Sequence, residues 1–185
     1  MVGSLCHRVG PGRLPYTTRR DVGGGVAMAA TALLATVLWF ALVSAVRVVA
    51  PESAGLALIQ GLGVLSPLAV LGALGAGTAL WRSWVPEQPD PVRGAVAGGL
   101  TVLLSLVPVA VAAGLWIAVT DVAAVTPAEL VGAVTDFVMV GLLAYITGAI
   151  TAGWLAFPLG LFGGWYHERA RRDRDDPARG HAAPV

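Results

Sequence analysis

Between Asp21 and Arg47 the chain carries no charged residue. As a helix rising 1.5 Å per residue, residues 23–46 cover about 36 Å, more than the roughly 30 Å of a bilayer's hydrocarbon core. A run this long and this apolar has few folded alternatives. Three further runs follow, at 53–81, 94–120 and 137–166. Only 12% of all residues are charged, about half the share in a soluble domain. The 24 glycines suit transmembrane helices better than soluble ones. The expected fold is all-α: a polytopic integral membrane protein with four transmembrane helices arranged as two hairpins.

The segment Trp81–Arg93 separates the hairpins. It holds three prolines, four charges and two tryptophans, and residues 82–93 read as a polar central loop. Residues 1–21 form a basic N-terminal arm in which Gly10, Pro11, Gly12 and Pro15 oppose helix. Thr18-Arg19-Arg20 has the look of a twin-arginine export signal, but the apolar run after it far exceeds a signal-peptide core of about 7–15 residues. An uncleaved first span is expected. The transmembrane domain thus occupies 22–166, and residues 167–185 read as a charged tail, a short helical extension leading into disorder.

Prolines punctuate the spans. Pro51 suits the first turn of the second helix. Pro67 is expected to kink that helix, and Pro108 lies inside the third. Thr126-Pro127-Ala128-Glu129 is a capping pattern that starts a fourth helix near Pro127. Continued to Tyr166, that helix would be about 60 Å long, too long for one crossing. Either its first turns lie along the outer surface, or Pro158 and the glycines beyond it break its far end.

Charge fixes the expected orientation. With both termini and the central loop on one side, that side holds eleven of the twelve arginines and the other only Arg47. Basic residues favour the cytoplasmic side. Trp81, Trp84, Trp165 and Tyr166 are then expected at the inner interface, and Trp39, Trp116 and Phe137 nearer the outer one. The bias towards Ala, Gly, Val, Arg and Pro, with neither Lys nor Asn, is that of a GC-rich prokaryotic genome. The expected location is a prokaryotic cytoplasmic membrane.

Few residues invite chemistry. Asp136 borders an apolar run. It is a candidate intramembrane carboxylate, a functional site by default, or an ordinary marker of the outer interface; the second is expected. With Gln60, Thr147 and Thr151 it would define a polar path. Such groups, like Ser66, Thr78, Thr101, Ser105 and Tyr145, more commonly bond across helices or back to their own helix. Ala144, Gly148, Ala152, Ala156, Gly160 and Gly164 form a ridge of small residues at every fourth position. It suits close packing within the chain or between chains, and a leucine at Gly148 or Ala152 is expected to push helices apart. Gly94/Gly98, Ala110/Gly114 and Gly72/Ala76 are shorter versions of the motif.

His7, His167, His181 and Cys6 are too scattered for a metal site. No catalytic group, cofactor or metal is expected, and no nucleic-acid partner. Arg169, Arg171, Arg172 and Arg174 meet anionic headgroups or serve as a topology anchor. The two hairpins share an orientation, which is compatible with an old duplication. The expected partners are the lipid bilayer and a further copy or another membrane protein. The expected role is that of a non-enzymatic accessory or scaffold subunit, with a small transporter or channel as the alternative.

Overall fold

The computed structural model describes residues 19–49, 63–121 and 126–175. Apart from short connections these are helical, with no strand among them: α1 (Arg20–Val49), α2 (Ser66–Ser83), α3 (Pro91–Asp121), α4 (Pro127–Thr151) and α5 (Gly153–Asp175). Three stretches, Arg20–Val49, Pro91–Thr120 and Glu129–Thr151, are long and apolar enough to cross a membrane. Pro51 and Gln60 lie outside the described residues, as does the first part of the expected second span.

Local chemistry explains the helix ends. Asp21 in the first turn of α1 and Arg47 in its last each oppose the partial charge of the helix end they occupy. The α3 helix starts earlier than Gly94: Asp90 Oδ1 accepts the backbone N–H groups of Val92 (3.0 Å) and Arg93 (3.2 Å), and Pro91, needing no partner, takes the first helical position. At α4 the capping pattern forms, with the Thr126 hydroxyl accepting Glu129 N–H at 3.3 Å.

The prolines act unequally. Ahead of Pro67 the helical backbone is interrupted. The chain turns at Val64–Leu65, and Pro67 then stands in the first turn of α2. Pro108 leaves α3 unbroken. The expected 137–166 helix is interrupted at Ala152, upstream of Pro158, which itself lies inside α5. A proline ring collides with the carbonyl four residues back, here Trp154, and its nitrogen cannot donate to it. The distortion therefore falls ahead of the proline. The Thr151 hydroxyl bonds back to Thr147 O at 2.7 Å, a bond that bends helices. Trp154 Nε1 donates to Thr151 O at 2.8 Å, which satisfies a carbonyl at the end of α4.

Helix α1 runs antiparallel to α2, with Gly24 beneath Trp81, Gly77 against Gly25 and Met28, and Gly63 against Phe40. Helix α3 runs antiparallel to α4 and α5 in succession: Gly114 meets Phe137, Ala110 meets Gly141, Val102 meets Gly160, and Gly94 meets Gly164. A Cβ added at Gly98 would fall on Gly160 O, and one at Gly164 on Gly94 O. Only glycine permits so close an approach.

Side chains are distributed inside out. The buried apolar residues are mostly alanines, with Met28, Trp81, Val43 and Val85. Large apolar side chains on α1, α3 and α4 point outward: Val37 is 57% exposed, Trp116 72% and Leu143 63%. The start of α1, the end of α2, the start of α3 and the end of α5 meet at one end of the bundle, through Gly24, Trp81, Gly94 and Glu168. Trp84 is exposed, but Trp81 is fully buried and is not part of an interfacial aromatic belt.

Candidate functional site

Continuing the small-residue ridge by one more step of four leads from Gly164 to Glu168. The packed bundle extends past Tyr166, the expected boundary of the domain, and the Glu168 side chain is completely buried. Gly94 leaves room for it, since a Cβ there would strike Glu168 Cγ.

Both carboxylate oxygens are satisfied. Oε1 accepts Trp81 Nε1–H at 2.8 Å and Arg171 Nη1–H at 2.8 Å. Oε2 accepts the same Arg171 nitrogen at 2.9 Å and Asp90 N–H at 3.3 Å. Arg171 Nη2 also donates to Glu87 O at 3.1 Å. Charge-assisted bonds of this kind are roughly twice as strong as neutral ones. The His167 ring stands edge-on to Trp81, with centroids 5.8 Å apart. This knot joins the end of α2, the central loop and the start of α3 to the last helix. The bonds of its carboxylate to these partners position helices.

Farther along the bundle lies a cavity of about 130 Å³. All five helices border it, through Ala35, Ala73, Ser105, Gly148 and Ala156 among others, with the Thr151–Gly153 junction in its wall. Four of the hydroxyls that border it are engaged: Thr31, Thr101, Ser105 and Thr151 donate to Ala27 O, Ala97 O, Val102 O and Thr147 O at 2.7–2.8 Å.

The expected path residues divide. Thr151 borders the cavity, and Thr147 supplies the carbonyl that holds its hydroxyl. Asp136 is half-buried near the start of α4 and borders neither this cavity nor the groove between α1 and α5. The ridge has two uses. Gly160 and Gly164 contact α3 backbone, while Ala144, Gly148, Ala152, Ala156 and Gly160 line the cavity. Gly148 is roomier than expected, because a Cβ there would meet only Leu106, at an ordinary 3.6 Å.

Glu168 escaped the sequence reading because it sits in a run of alternating charges that resembles a solvated tail. Two signals pointed to it: the fourfold spacing from Gly164, and an arginine three residues on. Compared with protein families, curated proteins and solved structures, the chain shows no match to any of them.

Proposed function

We propose that the chain is a four-span protein of the prokaryotic cytoplasmic membrane, built as two hairpins, that serves as a non-enzymatic accessory or scaffold subunit. The observation that carries this reading is the outward display of large apolar side chains on α1, α3 and α4, a surface that hydrocarbon or a membrane partner must cover. In this reading α4 and α5 together make one bent crossing, and both termini and the central loop are cytoplasmic. The arginines gathered at the shared end of the bundle support that orientation. The outward faces are also where a further copy or another membrane protein would pack.

The test is placement. The full chain should stay in membranes through an alkaline carbonate wash. A cysteine at Gln88, with Cys6 replaced, should resist an impermeant thiol reagent applied outside intact cells and react once the cells are opened. Release by carbonate would reject the membrane reading; labelling from outside would invert the topology.

A small transporter is the second reading. The interrupted helix at a mid-bundle cavity favours it, since broken helices mark substrate sites in transporters. Asp136→Asn decides whether a path uses that carboxylate: unchanged growth and expression fit a scaffold, and a lost flux with the fold intact fits a transporter.

A further inference from the structure

A groove of about 280 Å³ runs between α1 and α5, apart from the central cavity for most of its length. Its walls repeat at helical spacing. On α1 they include Gly23, Ala27 and Leu34; on α5 they run from Phe162 to His167 and Arg171. From Gly23 to Leu34 the groove is about 16 Å long, close to the roughly 15 Å of a single leaflet. Its inner part is apolar and its mouth lies at the arginine-rich end of the bundle.

One step back along the same face of α1 stands Arg20. Its Nη1 is buried and has no hydrogen-bond partner. The charge of Arg171, which borders the groove, is balanced by Glu168, so Arg20, one helical turn beyond the groove's lining, supplies a cation that the knot does not neutralise. A buried guanidinium N–H lacking an acceptor costs free energy until it finds one. The occupant that matches is an amphiphile with an anionic phosphodiester head and one chain of leaflet length.

We infer that this groove is a binding site for an anionic phospholipid, with the phosphate at Arg20 and an acyl chain along Ala27, Ala30 and Leu34. Basic pockets between helices on the cytoplasmic side are suited to such headgroups. The inference rests on the membrane reading above and adds a lipid of stated charge to it.

The probe is phosphatidylglycerol, with phosphatidylcholine as the uncharged control, added to the full chain purified in mild detergent and followed by native mass spectrometry. One phosphatidylglycerol per chain should be retained, with at least about tenfold preference over phosphatidylcholine. Arg20→Gln should weaken phosphatidylglycerol about fivefold, the scale of one basic contact near a membrane surface, and leave phosphatidylcholine unchanged. Ala30 is an exposed groove residue, and Ala30→Trp should fill the groove and abolish retention with helicity intact. Equal retention of the two lipids, or undiminished phosphatidylglycerol in both variants, overturns the inference. So does competition by glycerol phosphate alone, which would make this a site for free phosphate. A lipid-free dimer that Ala30→Trp disrupts would give the groove to a second copy, against the inference. If Ala30→Trp does not fold, the lipid preference of the wild type and of Arg20→Gln decides. Release from membranes by carbonate would defeat the membrane reading; firm membrane residence without lipid preference would defeat only this site.

Discussion

The two ends of α5 are held by opposite means. At its far end Glu168 and Arg171 use directional, charge-assisted bonds to Trp81, Glu87 and Asp90, in a site with no room to spare. At its start Ala152 and Gly153 border a mostly apolar cavity, where the Thr151 hydroxyl bonds back to its own helix. The first region tolerates no change in partner. The second has slack, and the helix breaks there. In a protein whose large apolar residues face outward, hydrophobic burial distinguishes the helix contacts poorly. Polar bonds and backbone approach do that instead.

Glu168→Ala should have the largest effect. It strands the Arg171 guanidinium and the Trp81 N–H, and removing one partner of a buried ion pair costs about 3–5 kcal/mol. Thermal unfolding in detergent should shift down sharply. A loss no greater than at an exposed residue such as Arg172 would mean that the knot is solvated and the contrast is false.

Gly98→Ala comes next, at about 1–3 kcal/mol for overpacking a tight contact, because its Cβ falls on Gly160 O. Should this variant melt with the wild type, α3 and α5 are free to separate.

Trp81→Phe keeps most of the ring and removes one donor from Glu168. Leaving that oxygen short of a partner costs about 1–3 kcal/mol, at the lower end here because Arg171 also bonds to it. Combining this change with Glu168→Ala should add much less than the sum of the two; full additivity would separate the tryptophan from the carboxylate.

Gly148→Ala should be the mildest change and of opposite sign. Its Cβ enters the cavity at ordinary contact distance, and alanine favours helix over glycine by about 1 kcal/mol. A melting temperature equal to or above that of the wild type is expected. A clear fall would mean that the cavity wall is as tight as the knot.

These contrasts also explain what could be read in advance. The cap at Thr126 was legible because capping is local: one hydroxyl, one proline, a fixed spacing. The start of α3 was placed late, at Gly94, because Asp90 looks like loop charge until its oxygen is seen on Val92 and Arg93. The break at Ala152 was missed because a proline disturbs the turn before it, so Pro158 marks the wrong residue. The ridge was legible as spacing, but spacing alone does not say which small residues touch backbone and which face a void. Gly98 and Gly148 look alike in the sequence and differ only in what stands opposite. Glu168 is the far extreme, since its partners lie 78 and 87 residues away along the chain.

That separation bears on the order in which a ribosome delivers the molecule. Trp81, Glu87 and Asp90 are synthesised before Glu168 and Arg171 exist. In a chain ending at Tyr166, Trp81 Nε1 and Asp90 N would lack the carboxylate that accepts them. The contacts that tie α5 to the central loop therefore form only after Glu168 and Arg171 have been made.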